Sequence, residues 1–502
     1  MKYIIAIDQG TTSSRAILFD EKCNIINVKQ MEISLSYRKN DWVEQNADEI
    51  WQSVFHVVKE IILSSSVKVE DIVSIGITNQ RETTILWDKN TGLPVHPAIV
   101  WQSRQSQNIC DELIKNGYQE LIKEKTGLII NPYFSASKVK FIFDNNPELL
   151  KKAKKGDILF GTVDAYLVWK LTNGKVHVTD YSNASRTMLF NINNLNWDDD
   201  LLELFDIPKI ILPEVKESSM IYGYAEVLKD YTNGINIPIS SIIGDQQASL
   251  FGQCCFNVGD VKNTYGTGCF MLMNTKEKII KSKNGLLTTI AWGLNGKVEY
   301  ALEGSVFVAG SAVQWLRDGL HLIEKSSDVE KSSDLIKGSN GVYFVPAFVG
   351  LGTPYWDDDA RGSVFGITRA TKKEHFINSV VESIAYQSKD VMEVMINDSG
   401  LKIHNLAVDG GASINNYLMQ FQADILNCTI IRPKVFETTA KGAAFMAGLA
   451  VGLWKNVDEL SLLQQVERLF MPQMYDEERK KLYNGWKKAI EATRCFKVSE
   501  VK

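Results

Sequence analysis

The sequence predicts an α/β protein whose two similar domains face a shared cleft. Strands and helices alternate along the chain, and the second half repeats the order of the first. Three similar strings begin at Ile5, Ile242 and Leu406. In each, a predicted buried strand ends at an aspartate that is followed by a tight turn. The 502 residues suffice for two large domains, with the boundary near Gly252. The predicted domains are therefore residues 1–252 and 253–502.

The first half begins as a β-meander followed by an amphipathic helix and one more buried strand. Its predicted strands are apolar and β-branched runs at Lys2–Asp8, Arg15–Phe19, Ile25–Ile33 and Ile72–Thr78. Between the last two, apolar residues recur with helical spacing from Ile50 to Ile62. Asn46 is the expected N-cap of this helix, with Glu49 three residues on in the position of a capping box.

The second half repeats this order. Its predicted strands are Val261–Asn274, interrupted by a glycine-rich turn, then Leu286–Trp292, Lys297–Leu302 and Leu406–Asp409. Asn295-Gly296 is a strong hairpin signal between two of them. Helices are predicted at about 306–322 and 374–397.

Composition and charge exclude several classes of protein. Hydrophobic residues make up 45% and charged residues 23%, which is typical of globular proteins and not of disordered ones. The net charge of −5 provides no basic surface for a nucleic acid or a membrane. The apolar N-terminus is too short for a signal peptide, and the longest weakly polar run, Gly442–Trp454, is shorter than the ~20 residues of a spanning helix. Seven scattered cysteines without a Cys-x-x-Cys pair favour reduced thiols and a cytoplasmic enzyme.

The turn after the first strand has the residues of a phosphate site. Thr11, Thr12 and Ser13 follow Gly10, so consecutive backbone N–H groups and hydroxyls are able to surround an anion. Arg15 adds a fixed positive charge, and Asp8 at the strand end suits Mg²⁺. The alternative is a plain polar hairpin turn.

Two glycine-rich turns of the second half suit a nucleotide. Tyr265-Gly266-Thr267-Gly268 is either a nucleotide-phosphate loop or an ordinary β-hairpin. Gly410-Gly411 precedes a helix, where backbone can approach a ligand closely, and Asn415 could bond a purine edge. The alternative for this segment is a glycine turn followed by an N-cap.

Asp245 is the best candidate for a general base. It follows the apolar run Ile242–Gly244, which places it at a strand or helix junction, where it is able to take a proton from an attacking hydroxyl. The alternative is an N-cap. Arg81-Glu82, also after a buried strand, suits a polyhydroxyl substrate, although such a dipeptide is more often a solvated surface pair. Motifs of serine hydrolases, zinc proteases and Walker A proteins are absent from the sequence.

Together these strings resemble the FGGY family of carbohydrate kinases, and within it the members that phosphorylate glycerol. The resemblance runs from about Tyr3 to Trp454 and rests on strings that include Asp8–Arg15, Asn79–Glu82, Val100–Gln102, Asn131–Lys138, Gly244–Gln247, Tyr265–Gly268, Gln314–Asp318, Asp409–Gly411 and Lys441–Ala444. It implies two actin-like (ribonuclease-H-like) ATPase domains around a central cleft. The implied reaction transfers a phosphoryl group from ATP, with Mg²⁺, to glycerol, giving sn-glycerol 3-phosphate.

The resemblance also assigns roles to individual positions. Arg81, Glu82, Tyr133, Asp245 and Gln246 would hold glycerol hydroxyls, with Asp245 as base, and Trp101 and Phe270 would form apolar walls. The residues implied at the ATP site are Thr11, Thr12, Ser13, Arg15, Gly266, Thr267, Gly310, Gln314, Gly411 and Asn415. The first domain would thus bind glycerol and phosphate and the second the nucleotide, in a homodimer or larger homo-oligomer.

Two positions depart from the family pattern. Lys441 stands where these kinases usually carry leucine. The segment 229–238 has no arginine, unlike the loop with which bacterial members bind fructose 1,6-bisphosphate, so that regulatory site is not expected. The remaining alternatives are a kinase of another small polyol or ketose, and an actin- or chaperone-like ATPase that switches an interaction surface.

Overall fold

A computed structural model describes residues 1–39 and 41–497 of the chain. The strands of the first half are β1 (Tyr3–Gln9), β2 (Ser13–Asp20), β3 (Ile25–Glu32), β4 (Ser36–Lys39), β5 (Trp42–Gln45), β6 (Ile72–Asn79), β7 (Ile85–Asp88), β8 (Ala98–Ile99), β9 (Ile158–Gly161), β10 (Val178–Asp180), β11 (Phe190–Asn191), β12 (Asn196–Trp197), β13 (Glu214–Lys216), β14 (Ser219–Tyr224) and β15 (Pro238–Gly244). Its helices are α1 (Ala47–Ser64), α2 (Gln107–Lys115), α3 (Gln119–Thr126), α4 (Ser135–Asn145), α5 (Pro147–Lys155), α6 (Val163–Leu171), α7 (Tyr181–Ala184), α8 (Asp199–Phe205) and α9 (Asp245–Gly252).

The second half has fewer strands and longer helices. Its strands are β16 (Val261–Tyr265), β17 (Cys269–Lys276), β18 (Leu287–Leu294), β19 (Lys297–Val306), β20 (Tyr343–Val345), β21 (Ser363–Phe365), β22 (Asn405–Asp409), β23 (Thr429–Pro433) and β24 (Val466–Phe470). Its helices are α10 (Gly310–Asp318), α11 (Asp328–Leu335), α12 (Lys373–Ser399), α13 (Asn416–Leu426), α14 (Thr438–Ala450), α15 (Val457–Leu462) and α16 (Asp476–Cys495).

The two main sheets, of six and seven strands, share a central arrangement of antiparallel and parallel strands, which confirms the predicted pair of similar α/β domains. In the first sheet the order is β3-β2-β1-β6-β15-β14, with β1 antiparallel to β2 and parallel to β6. In the second the order is β18-β19-β17-β16-β22-β23-β24, with β16 antiparallel to β17 and parallel to β22. Each sheet thus combines a meander with parallel strands, as the alternation of elements predicts.

Strand register brings the polar turns together. The parallel strands β1, β6 and β15 end side by side, because Gln9 pairs with Asn79 and Asn79 with Gly244. In the second sheet Thr264 pairs with Asp409, so the turns after β16 and β22 are neighbours. The carboxyl ends of parallel strands are the usual place for ligands in open α/β sheets.

Helices α9 and α14 pack on each other and connect the two halves. Helix α14 comes from the second half but packs on β1, β6 and β15, whereas α9 packs against β16 and β17. The buried cluster around them spans both halves, from Ile4 on β1 to Leu272 on β17. The helices approach so closely that a Cβ on Gly442 would lie 1.9 Å from the carbonyl oxygen of Ala248.

We expect Gly442→Ala to destabilise the protein by about 1–3 kcal/mol, since the added methyl must push two packed helices apart. Thermal and urea unfolding of the variant would measure this loss. Gly411→Ala is the matched control, because a Cβ there would meet no atom within 4 Å. Equal stability of the two variants would contradict the close packing of α9 on α14.

Several local predictions are confirmed and two are wrong. Asn46 caps α1, and Asn295 and Gly296 both adopt positive φ in the β18–β19 hairpin. Glu49 does not complete a capping box, because its carboxylate accepts from the N–H of Ser34. Helix α10 begins at Gly310 and not near Val306, because β19 stays paired with β17 as far as Val306.

Two further predictions concern Lys441 and membrane-spanning helices. Lys441 is buried on α14, where its Nζ donates to the Gln464 side chain and lies over the ring of Phe445. Burial lowers the pKa of this amine. None of the helices in 1–39 and 41–497 is long and apolar enough to cross a membrane.

Candidate active site

Arg81 and Glu82 begin one residue beyond the end of β6, and both are buried, so the alternative of a solvated surface pair is wrong. Glu82 has φ of 59°, a strained conformation for a residue other than glycine that is commonest at functional sites. Its carbonyl oxygen accepts from Ser135 Oγ and Lys138 Nζ, both at 3.1 Å. Lys138 Nζ also donates to the carbonyl of Tyr133 at 2.7 Å, which ties two predicted substrate residues together.

The main partner of Arg81 is Glu303, a residue of the second half. Its Nη1 and Nη2 donate to the two carboxylate oxygens of Glu303, at 2.6 and 3.0 Å. Its Nε lies 3.1 Å from Asp245 Oδ1, but 3.9 Å from Glu82 Oε1. The Arg81–Glu82 pair expected from the sequence is thus the longest of these contacts, because both side chains meet stronger partners.

Glu82 pairs with Arg186, whose Nε donates to Glu82 Oε1 at 2.6 Å. Burial raises the pKa of Glu82, and the guanidiniums of Arg186 and Arg81 oppose this rise only in part. Burial would also raise the pKa of Glu303, but Arg186 and Arg81 outweigh it and lower that pKa to about 2. Two buried arginines therefore share the carboxylates of two buried glutamates.

Asp245 is the first residue of α9 and is open to the cleft, with 31% of its side chain exposed against 2% for Arg81. Its Oδ1 accepts from the N–H of Gln246 at 2.7 Å, and its Oδ2 from Gln246 Nε2 at 3.2 Å. Lys262 Nζ holds the other end of Gln246, donating to Oε1 at 2.6 Å. Asp245 therefore presents a fixed carboxylate to the cleft.

Three aromatic side chains form an apolar wall near these polar groups. The ring of Trp101 lies 5.6 Å from that of Tyr133 and 6.2 Å from that of Phe270, both edge-on. Trp101 Nε1 donates to Thr11 Oγ1 at 2.9 Å, which connects the wall to the β1–β2 turn. Tyr133 also lies against the Arg186 guanidinium, 5.7 Å from its ring centre. The structure thus brings together Trp101, Tyr133 and Phe270, which the resemblance assigns to one acceptor site.

The β1–β2 turn lies beside the apolar wall, where Thr11 accepts from Trp101 Nε1. Thr11, Thr12 and Ser13 are at least partly exposed, and the turn is closed by the bond from Gly10 N–H to the Ser13 carbonyl at 2.9 Å. Arg15 points across to the second half, where its Nη1 contacts Glu437 at 2.9 Å. A cleft-facing pair of this kind is able to exchange its carboxylate for a phosphate.

Asp8 lies among charged groups of both signs. Burial raises its pKa to about 7; Arg15 opposes this rise, whereas Glu437 and Asp245 add to it. The described residues contain no group of three or more His, Cys, Asp or Glu side chains that could hold a metal by themselves. Mg²⁺ in phosphoryl-transfer sites needs only one or two carboxylates, because phosphates and water supply its other ligands. Asp8 therefore fits a shared Mg²⁺ site.

The second-half turns form a separate group across the cleft. Gly310 N–H donates to the Gly266 carbonyl at 3.0 Å and Ala309 N–H to that of Thr267 at 2.8 Å, so α10 begins on the β16–β17 turn. Gly410, at φ of 84°, packs so tightly that a Cβ would lie 2.4 Å from the Tyr265 carbonyl oxygen. Gly411, in contrast, faces open space.

Gln314 and Asn415 lie at the borders of this group. Gln314 is exposed one turn along α10 from Gly310. Asn415 caps α13, with its Oδ1 accepting from Leu418 N–H at 2.8 Å. The N-cap alternative is thus present in the structure, and contact of the Asn415 amide with a base stays a prediction.

Sequence reasoning assigns no role to four buried charged residues and one buried amide around the site. Lys138 and Gln247 lie inside the resembling strings without an assigned role, whereas Arg186, Lys262 and Glu303 lie outside them. Glu303 occurs in a run of alternating polar and apolar residues on β19, where nothing local marks it as buried. In the structure Glu303 pairs with Leu272 of β17, two residues from Phe270, and the sequence does not reveal this proximity.

Comparison with known proteins gives a consistent result. The N-terminal domain model of the FGGY family of carbohydrate kinases matches residues 3–252 and the C-terminal domain model matches residues 261–451. Glycerol kinase of Brevibacillus brevis is 59% identical over 99% of both chains. Glycerol kinase of Geobacillus sp. is 58% identical over 99% of this chain and 100% of its own.

Solved structures agree with this comparison. Plasmodium falciparum glycerol kinase with ADP has a TM-score of 0.91 at 38% identity, over 98% of each chain. Xylulose kinase of Lactobacillus acidophilus has a TM-score of 0.88 at 22% identity over 98% of each chain, which speaks for the fold alone.

Proposed function

The chain belongs to the FGGY family of carbohydrate kinases, and we propose that it transfers a phosphoryl group from ATP to glycerol. Its near-full-length identity to relatives named glycerol kinase supports this substrate, and a similar glycerol kinase structure with ADP supports the nucleotide. The observation that carries the proposal is the convergence of Arg81, Glu82 and Asp245 beside an aromatic wall. Such a pocket suits a small triol, which has hydroxyls on one side and C–H groups on the other.

We assign the acceptor roles as follows from these contacts. Arg81 and Gln246 would donate to hydroxyls, Glu82 would accept from them, and Tyr133 would add its own hydroxyl. Trp101 and Phe270 would cover the carbon chain. The polar groups are held by buried partners, so they need little reorganisation on binding.

Asp245 is the proposed general base. It would orient the attacking hydroxyl and receive its proton as the new P–O bond forms and the bond to ADP breaks. Its exposure to the cleft and its anchoring through Gln246 and Arg81 support this assignment. The first half, 1–252, would thus bind glycerol and phosphate.

The nucleotide would lie between the β1–β2 turn and the second-half turns. Thr11, Thr12, Ser13 and Arg15 are proposed for its phosphates, with Arg15 releasing Glu437. Gly266, Thr267, Gly310, Gln314, Gly411 and Asn415 are proposed for the rest of the nucleotide. The open space at Gly411 leaves room for close approach. The second half, 253–502, would thus be the nucleotide domain.

We assign Mg²⁺ to Asp8, on the β1 side of the phosphate path. A bound Mg²⁺ would neutralise charge on the phosphates, and this is the chemistry it supplies in such transfers. The surplus of carboxylates around Asp8, with Glu437 and Asp245 both raising its pKa, fits a place for a cation.

A coupled assay of ADP formation tests the proposed function. The purified protein would be given ATP and Mg²⁺ with glycerol, dihydroxyacetone, longer polyols, ketoses or no acceptor. We expect glycerol to give the highest kcat/KM. Higher turnover with another polyol or ketose would assign that substrate, and acceptor-independent turnover would indicate a switch ATPase.

We expect the two halves to close when both substrates are bound. Phosphoryl transfer must exclude water, or ATP is hydrolysed, and a two-domain cleft does this by hinge motion. Ion pairs that already bridge the halves, Arg15–Glu437 and Arg104–Asp358, would rearrange. Small-angle scattering should show a smaller radius of gyration with glycerol and a non-hydrolysable ATP analogue than without ligands. An unchanged radius would contradict closure.

A further inference from the structure

We propose that Glu303 is a positioning residue of the acceptor site, fixing the guanidiniums of both Arg81 and Arg186 from behind. The inference rests on the proposed phosphorylation of glycerol. Glu303 lies on β19 and is fully buried, and both of its carboxylate oxygens accept from the two arginines. It acts through the two arginines.

Glu303 accepts hydrogen bonds from both arginines. Its Oε1 accepts from Arg81 Nη2 and from Arg186 Nη2, both at 3.0 Å, and its Oε2 accepts from Arg81 Nη1 at 2.6 Å. Both terminal nitrogens of Arg81 and one terminal nitrogen of Arg186 thus donate to Glu303. A planar guanidinium held in this way has little freedom to turn.

The Nε of each guanidinium faces a substrate-side carboxylate. Arg81 Nε lies 3.1 Å from Asp245 Oδ1, and Arg186 Nε lies 2.6 Å from Glu82 Oε1. The proposed base and the proposed hydroxyl acceptor are therefore both positioned by arginines that also donate to Glu303. The Glu303 carboxylate therefore sets the distance between Asp245 and Glu82.

The charges require a carboxylate at this position. Arg81 is close enough to Arg186 that its positive charge acts to lower the pKa of the Arg186 guanidinium. Without Glu303, the buried arginines would have only Glu82 and Asp245 as anionic partners. Their terminal nitrogens would then turn toward those carboxylates and compete with substrate hydroxyls for the same oxygen atoms.

The two halves of the chain must also meet for this arrangement to form. Arg81, Glu82 and Arg186 belong to the first half, whereas Glu303 comes from the sheet of the second. Phe270 of the apolar wall is on β17, the strand that pairs with β19. The second half thus completes the acceptor site in addition to its proposed nucleotide role.

Glu303→Gln tests the inference, because it keeps the shape of the side chain and removes its charge. We expect the glycerol KM and the calorimetric glycerol Kd to rise at least 10-fold and kcat to fall at least 10-fold, with the ATP KM changed less than about twofold. Glu303→Asp keeps the charge and shortens the reach, so we expect a smaller effect than that of Glu303→Gln. This order is not expected from a residue that only stabilises the fold.

Glu382→Gln is the matched control, since Glu382 is another buried carboxylate of the second half, bonded to Tyr417 at 2.6 Å away from the described acceptor residues. It should leave the glycerol and ATP constants unchanged even if it lowers the unfolding temperature. A glycerol KM and Kd within twofold of wild type in folded Glu303→Gln would overturn the inference.

Arg186→Lys keeps the inference falsifiable if Glu303→Gln does not fold. The lysine keeps a positive charge but loses the planar fork that connects Glu303 to Glu82, so the glycerol KM should rise at least 10-fold. An unchanged glycerol KM in this variant would also overturn the inference. Failure of the wild-type protein to phosphorylate glycerol would instead refute the proposed function.

Discussion

Asp245→Asn should reduce glycerol-dependent ADP formation by at least two orders of magnitude while the protein still binds MgATP. A primary alcohol is a weak nucleophile at neutral pH, and asparagine cannot receive its proton as the P–O bond forms. Loss of a general base is typically worth about 10²–10⁴ in rate, or roughly 3–5.5 kcal/mol of barrier. Steady-state kinetics with saturating glycerol and calorimetric titration with MgATP would separate chemistry from binding.

The structure adds a small cost in stability to this expectation. Gln246 Nε2 donates to Asp245 Oδ2, and Gln246 cannot turn its amide round, because Lys262 holds Oε1 at 2.6 Å. The other oxygen faces Arg81 Nε. Either orientation of an asparagine amide therefore points an NH₂ group at a donor, which should cost about 1–2 kcal/mol.

Asp358→Asn is the control for Asp245→Asn. Asp358 is an exposed carboxylate of the second half that contacts Arg104 across the cleft at 2.9 Å, so the same chemical change is made outside the acceptor pocket. Its kcat should stay within about twofold of wild type, because an exposed ion pair contributes at most about 1 kcal/mol. A kcat near wild type in folded Asp245→Asn would refute the assignment of the base.

The sequence predicts the fold well because its strongest signals are local. Buried β-branched strands that end in Asp and Gly, such as Ile5–Gly10, are recognisable without tertiary information. Boundaries that depend on pairing are less predictable. A helix is predicted from about Val306, but the apolar residues 306–309 do not distinguish a strand end from a helix start, and β19 remains hydrogen-bonded to β17 up to Val306.

The candidate site is predictable only where its residues occur in short strings. Arg81, Asp245 and Tyr133 lie in such strings, and the structure brings them together. Arg186 and Glu303 are 117 positions apart and meet only because the two sheets face each other across α9 and α14. No spacing rule connects them. The nucleotide contacts and the expected homo-oligomer stay predictions.

The position of Lys441 also depends on tertiary contacts that the sequence does not show. Against a family pattern it is a substitution of leucine by a charged residue, which suggests a surface position or a functional role. In the structure its amine is buried within the α14 region and is accommodated by the Gln464 side chain and the ring of Phe445. These partners come from two separate segments, and only one is visible as helical spacing in the sequence.

Arg81→Ala should have the largest combined effect on activity and stability. The arginine contacts Asp245, Glu303 and Gln247, and only 2% of it is exposed, so its loss leaves buried acceptors without a donor. Removing one member of a buried ion pair costs about 3–5 kcal/mol. We expect a loss of this size in the free energy of unfolding, measured in urea, if the protein folds.

The same substitution should also lower kcat/KM for glycerol by roughly 10²–10³-fold, equivalent to about 3–4 kcal/mol. It removes a donor to the hydroxyls and the group that orients Asp245, so both kcat and the glycerol KM should change. Arg104→Ala is the control, because this arginine is 41% exposed and pairs with Asp358 on the surface. Arg104→Ala should lower the free energy of unfolding by less than about 1 kcal/mol and leave the glycerol KM unchanged. If folded Arg81→Ala kept the kcat/KM of the wild type, Arg81 would have to be removed from the acceptor site.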